Sequence, residues 1–364
     1  MRLLYLFLIF ILFSANSREF KKISTPQVKD FVYIPSGTLY QSEEIHYNGD
    51  TGINYFKDFK IGAFWISETE VSIKRYKFFL KALLDSGRHD DYRIAYPDTS
   101  LERTQSELIS RNSFRSKILA DKYFENFPIN NISIEAAELY CKWLTEQYKT
   151  RSEGFPTPVF RIPTRREWIY ASRGGNNRRN YGFAINTLRN NKGYYQCSFR
   201  NVQQENLFRD RFTPPYLEYR DYYKELDNVS YLNTAYKFKM KDFNVTGSIV
   251  PVYFFSPNEY GVYNMTGNLE ELIKDSIPQI LLNKDVFYYK YGSIGGSFNT
   301  FGGDLFVDKS VKPLLNEWLP SDFLGLRPVA NYESKTIEWN SDMKNRYAKM
   351  KKHIKEFEKM QSYE

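Results

Sequence analysis

The sequence is poor in the side chains that most enzymes use for covalent or metal chemistry: 2 cysteines and 3 histidines occur in 364 residues. His46, His89 and His353 share no ligand-like spacing, which excludes a histidine-based zinc or non-haem iron centre. The same scarcity leaves no histidine partner for a serine or cysteine nucleophile. Glycines recur from Gly292 to Gly303, but no Gly-Lys-Ser/Thr ending follows, so a phosphate-binding loop is excluded as well. Cys141 and Cys197 allow one disulfide at most. The helix-like surroundings of Cys141 suit a buried free thiol equally well, and both alternatives stay open.

Long apolar runs are also scarce. Leu3–Phe13 is unbroken but too short to cross a bilayer as a stable helix. Arg2 precedes it and Ala15-Asn16-Ser17 follows with small residues at the two positions a signal peptidase reads. Residues 1–17 therefore read as a secretory signal, with an uncleaved anchor as the alternative and a mature chain that starts near Arg18. No cysteine follows the run, so nothing there can take a lipoprotein lipid. The expected location is exported: periplasmic, outer-membrane-associated or extracellular. The net charge of +8 is spread along the chain without a recognition motif. Nucleic acid is therefore not an expected partner, and a solvated surface or one resting on an acidic envelope polymer accounts for the charge.

Aromatic residues, by contrast, are plentiful, at 18% with Tyr 30 and Phe 29. Large half-polar rings are expected to build both core and surface. Phe31–Leu39 alternates like a strand entering a turn, and Phe59–Ile66 reads as a second aromatic strand. Ser72–Leu84 predicts an amphipathic helix carrying Tyr76, Phe79 and Leu83, followed by a polar insertion from about residue 85 to 126. Ser133 is placed to cap a helix with Ala136, Ala137, Tyr140, Cys141 and Leu144 on one stripe. Residues 176 to about 253 are loop-rich. In the tail, Met343, Tyr347, Met350, Ile354 and Phe357 recur at spacings of four, three, four and three. That pattern predicts an amphipathic helix over 341–364, too short to stand alone and expected to dock on its own domain or on a partner.

Five blocks occur in one order. Trp65–Ser72 runs into Tyr76 and Phe79, and Phe127–Ser133 leads into Ala136–Leu144. Phe160–Gly175 follows, with Pro163 and Thr164 opening a helix, Glu167 at its positive end, Trp168 and Ala171 on one inward face, and Arg173 with the glycine pair ending it. Asn258–Glu271 is fourth, its Tyr260–Tyr263 reading as a buried turn and strand. Gly295-Gly296-Ser297-Phe298 is fifth, closed by Gly325-Leu326-Arg327-Pro328. Together the blocks resemble the sulfatase-modifying-factor family, whose founding members are formylglycine-generating enzymes, over about residues 30–332.

The resemblance implies an α+β fold, the formylglycine-generating-enzyme variant of the C-type-lectin-like fold. It would be a loop-rich single domain over 30–332 with the helix at 341–364 beyond it. It also implies structural calcium, held by backbone carbonyls at Gly267 and Leu269 and the carboxylate of Glu271. A second, weaker site would fall at Asn233 and Asn244 with carbonyls of Thr234 and Thr246, where Asn244 replaces an acidic ligand. Two family tryptophans are replaced here by Glu270 and Leu272. The larger departure concerns chemistry. Active relatives follow the fifth block with two cysteines that bind copper and handle oxygen; Thr300 and Leu305 stand in their place. Neither side chain substitutes for a thiolate on copper(I), so no copper is expected and only a vestigial pocket near Ser297, Thr300 and Leu305. The iron-dependent sulfoxide synthases of this fold need histidines the chain does not supply.

Three functions stay open. The first is a non-catalytic exported scaffold or binding protein of the bacterial cell envelope, similar to the catalytically empty family members of gliding and type 9 secretion machinery. Its partner would be an envelope protein, a glycan or peptidoglycan, with the C-terminal helix as a contact. The second is a formylglycine-generating-type oxidase, which would need Cys197 to fold into the site. The third is a calcium-dependent lectin-like carbohydrate binder.

Overall fold

Pro35 lacks an N–H for a strand ladder, and it divides the first alternating stretch into β1 (Phe31–Ile34) and β2 (Gly37–Glu44). Likewise Gly62-Ala63 interrupts the second, giving β3 (Asn54–Ile61) and β4 (Phe64–Ser67) where one strand was expected. The computed structural model describes residues 28–44, 54–98, 119–152, 154–200, 249–280, 286–307, 311–314, 320–332 and 341–361. The expected signal at 1–17 and the Asn233/Asn244 calcium site lie outside them.

β2 and β3 form a two-stranded antiparallel ribbon. β4 instead joins a four-stranded sheet of order β1-β4-β10-β5, where β5 is Pro158–Arg161 and β10 is Val329–Tyr332. Phe31 stands opposite Ser67, and Val329 opposite Ile66. The third sheet has order β8-β7-β6-β9. Its long hairpin is β6 (Glu270–Ile280) with β7 (Val286–Ile294), flanked by β8 (Lys312–Leu314) and by the short parallel β9 (Leu324–Gly325). The core between these elements gathers Ile34, Leu39, Phe64, Ile66, Trp168, Val262, Ile273 and Ile294, all buried.

The helices start where side-chain caps satisfy their first N–H groups. Ser72 Oγ accepts from Arg75 N (3.3 Å) at α1 (Ile73–Asp85), after α1 comes the short α2 (His89–Ala95) within the polar insertion, and Ser133 Oγ accepts from Ala136 N (3.0 Å) at α3 (Ile134–Arg151). Tyr76 and Phe79 of α1 meet Tyr140 and Trp143 of α3, with ring centroids 5.2 to 5.9 Å apart for the contacts of Phe79 with both and of Tyr140 with Trp143. This is the ring-built core expected from the composition. At α4 (Arg165–Ser172) Thr164 and Glu167 form a reciprocal capping box. Burial opposes ionisation of Glu167, but Arg161 and Thr164 outweigh it and hold the carboxyl below its ordinary range. Thr164→Ala is therefore expected to lower stability by about 1 kcal/mol in urea unfolding, with no change in the unfolding slope.

Tyr260–Tyr263 is a turn rather than a turn and strand. Asn258 Oδ1 accepts from the backbone N–H of both Tyr260 (3.0 Å) and Val262 (3.1 Å), which curls the chain away from any ladder.

The chain divides into two compact units. The larger comprises Val28–Leu144 and Phe160–Asn331; the smaller includes Thr145–Val159 and the C-terminal helix α5 (Ser341–Gln361). Within the smaller unit the predicted seam is covered. Met350, Ile354 and Phe357 are buried. Phe357 meets the ring of Tyr148 at 5.7 Å and the guanidinium of Arg151 at 4.3 Å, while Phe155 meets Tyr347 at 5.2 Å. The apolar stripe is thus occupied by residues of this same chain.

Candidate functional site

Gly295 (φ 97°) and Gly296 (φ 69°) turn the chain out of β7 through backbone conformations that side chains disfavour. At Gly296 the need for glycine is also spatial. A Cβ there would stand 2.6 Å from Leu305 Cδ2 and 3.2 Å from Thr300 Cγ2. The two side chains in the expected thiol positions therefore converge over one glycine, with Ser297 next to it. Ser297 N donates to Thr300 Oγ1 (2.9 Å), Thr300 N donates to Ser297 O (3.0 Å), and the two hydroxyl oxygens lie 3.3 Å apart. The Ser297 hydroxyl also accepts from Asn299 N (3.3 Å). These groups close a tight turn on one another, and among the described residues no base is hydrogen-bonded to Ser297.

Leu305 is fully buried in an apolar cluster with Tyr181, Phe183, Cys197 and Phe199. Cys197 thus shares a cluster with one of the two positions, in surroundings where burial pushes its thiol well above the ordinary value. Cys141 belongs to α3, where burial pushes its thiol up to about 12. Both are buried free thiols, which resolves the disulfide alternative against pairing.

Beside this loop lies a polar hub assembled from the first, third, fourth and fifth blocks. Asn268 donates its backbone N–H to Ser198 O (2.9 Å) and accepts at its backbone O from Phe298 N (2.8 Å), while Gly267 N donates to Gly295 O (2.9 Å). Gly267, at φ 73°, leaves no room for a side chain against Ser198 O. Two further backbones are left-handed, Asn264 (φ 52°) and Asn268 (φ 62°), the conformation asparagine tolerates best after glycine. Their side-chain amides donate to the buried Glu70 carboxylate at 3.2 and 2.8 Å.

Glu271 and Arg327 occupy the centre of the hub, fully buried. Arg327 Nε donates to both oxygens of Glu271 (2.9 and 2.8 Å) and Nη2 adds a third bond to Oε1 (2.6 Å). Trp168 Nε1 donates to Glu271 Oε2 at 2.6 Å. The same guanidinium reaches Ser67 O (2.9 Å) and Tyr263 O (2.7 Å), and lies 3.7 Å from Glu70. A carboxylate and two backbone carbonyls around one positive charge are what a hard cation would collect. Here the guanidinium collects them.

The calcium ligand set read from the resemblance does not fit this arrangement at Glu271. Its two oxygens already accept from Arg327 and Trp168, and a guanidinium in contact repels a second cation. Leu269 is buried in the core and Gly267 serves a close backbone approach. Among the described residues Asn264 Oδ1 is buried with no hydrogen-bond partner, so the hub retains one uncommitted oxygen at a residue the sequence reading passed over. Among the described residues, no group of three or more His, Cys, Asp or Glu side chains is placed to hold a metal ion.

The model of the sulfatase-modifying factor enzyme 1-like domain matches residues 16–330. The chain belongs to this family. Solved structures similar to it include Treponema denticola variable protein 1 (15% identity, TM-score 0.46, covering 84% of this chain and 98% of that one). The crystal structure of CarF is similar at 18% identity and TM-score 0.46, covering 82% of this chain and 97% of that one. No curated protein matches the sequence.

As a sulfatase-modifying factor enzyme 1-like domain, the chain shows a mixed α and β fold of small sheets, short helices and long loops with a C-terminal helix. Its departures from the family pattern are accommodated locally. Glu270 accepts from Ser293 Oγ (2.7 Å) and pairs with Lys312, and Leu272 is buried in the core. Arg327 and Glu70 were legible as block members but not as partners, because nothing in their spacing says that both approach Glu271.

Proposed function

We propose that this protein works without catalysis, as an exported scaffold or binding protein of the bacterial cell envelope. The observation that carries the reading is the convergence of Thr300 and Leu305 above Gly296. The family's oxidases use soft sulfur ligands there, and a hydroxyl and an alkyl group do not bind copper(I). Cys197 is a single, apolar-buried thiol beside Leu305, which is half of a ligand pair at most. The apolar run at residues 3–13 and the small residues after it support export, and the excess of positive charge supports contact with acidic envelope material. The partner is then an envelope protein, glycan or peptidoglycan. A calcium-dependent lectin mechanism is not favoured, since Arg327 already neutralises Glu271.

Copper(I) titration of the reduced protein against a chromogenic chelator tests this directly. The expected result is no tight thiolate-dependent site in the wild type, and gain of one in the Thr300→Cys/Leu305→Cys double variant. A tight wild-type site abolished by Cys197→Ser would instead establish the oxidase reading, as would turnover of a thiol peptide by the copper-loaded protein.

A further inference from the structure

The loops around Ser297 also carry a surface that neither the thiol positions nor the buried hub uses. Arg189 lies with its Cζ 3.8 Å over the ring of Tyr195, and its Nη1 donates to Gly193 O (2.7 Å). Arg200 lies 4.7 Å over the ring of Phe301, joined through its backbone N–H to Thr300 O (2.9 Å). Phe199 links the two pairs: its ring is 5.1 Å from that of Tyr195, and it packs under Gly302, the neighbour of Phe301. Two guanidinium–ring stacks thus sit on one loop cluster. Phe301 is 46% exposed and Tyr194 is 36% exposed, two of several aromatic residues that the fold leaves in contact with solvent. Along 186–200 and 297–305 the basic side chains are Arg189, Lys192 and Arg200, against the single acid Asp304.

We propose that this cluster is a binding site for an anionic polysaccharide. Exposed ring faces pack against the C–H faces of sugar rings, and the neighbouring positive charges attract carboxylate or sulfate substituents. Stacking also holds each guanidinium in place before the ligand arrives, so less side-chain freedom is lost on binding. An extended single-stranded nucleic acid could use rings and charge in a similar way. The sugar polymer is favoured because the site rests on the envelope-binding reading above, and acidic glycans are the polyanions met there.

The test is calorimetric titration of the full-length protein with polygalacturonate oligomers, with neutral dextran and oligothymidylate as comparisons. Binding of polygalacturonate, and not of dextran, is expected. Phe301→Ala, which changes no charge, should weaken it on the order of tenfold. Arg189→Gln/Arg200→Gln should weaken it by at least as much. Lys352→Gln/Lys355→Gln removes the same charge from residues that form no part of the cluster and should leave affinity within about twofold. Equal losses in the two charge variants, wild-type affinity in Phe301→Ala, tighter binding of oligothymidylate, or no binding of polygalacturonate would each overturn the proposal. Such a failure leaves the non-catalytic reading to the copper titration, which reads different residues.

Discussion

Arg327→Met is expected to cost about 3–5 kcal/mol or to prevent folding altogether, although the substitution keeps much of the apolar volume. The cost comes from what is left behind. Arg327 is fully buried, and its loss strands the Glu271 carboxylate, the carboxyl group of Glu70, and the carbonyls of Ser67 and Tyr263 away from water. Each of these groups exchanged its water for the guanidinium, and an unmatched buried polar group costs far more than a normal hydrogen bond contributes. Arg327→Lys should recover only part of the loss, because a point charge cannot serve Glu271 through two edges while also reaching the carbonyls. Adding Glu271→Leu to Arg327→Met removes one stranded charge, so the double variant should be less destabilised than the sum of the single changes, with a coupling of roughly 0.5–3 kcal/mol. Urea unfolding of the four proteins measures this. A wild-type midpoint for Arg327→Met would mean that water reaches the hub and that Glu271 remains open to a cation. Under the guanidinium reading, chelators leave the melting temperature unchanged.

What the sequence disclosed follows from how far each interaction reaches along the chain. Capping at Ser72, Ser133 and Thr164 joins residues three apart, and the amphipathic faces of α1, α3 and α5 repeat within a few turns, so local chemistry was enough to read them. For the loop after the glycine pair, the family resemblance and not local chemistry pointed to Ser297, Thr300 and Leu305, and the structure brings Thr300 and Leu305 together over Gly296. By contrast, the bond from Trp168 to Glu271 spans 103 residues and that from Arg327 spans 56. A carboxylate that could meet either a metal ion or a guanidinium looks the same in a sequence. The resemblance chose the metal ion; tertiary packing chose the guanidinium. Similar logic explains Tyr260–Tyr263, where alternating aromatics looked like a strand but the side chain of Asn258 captured the N–H groups a ladder would need.

The hub should also make stability depend on pH in a direction opposite to ordinary acid denaturation. Burial pushes the carboxyl of Glu70 up from 4.5 to about 7; Arg327 opposes the rise and Glu271 adds to it. Besides those two charges, its own backbone N–H and the side-chain amides of Asn264 and Asn268 face it. With a raised pKa, the folded protein binds a proton between pH 4.5 and about 7 that the unfolded chain has already released. The contribution of this group is therefore fully present below 4.5, is lost as pH rises toward 7, and is flat above that. Glu68, raised by burial and by Asp30, acts in the same sense. Glu138 and Glu167 have lowered values and act oppositely, but below their ordinary range, so the interval from about pH 5 to 7 isolates the raised pair. Unfolding midpoints should fall across that interval in the wild type. In Glu70→Gln most of the slope should vanish, because the side chain is neutral in both the folded and the unfolded state. A wild-type midpoint that rises from pH 5 to 7, or a slope unchanged in Glu70→Gln, would show that Glu70 is ionised in the folded protein and that Arg327 balances two carboxylates at once.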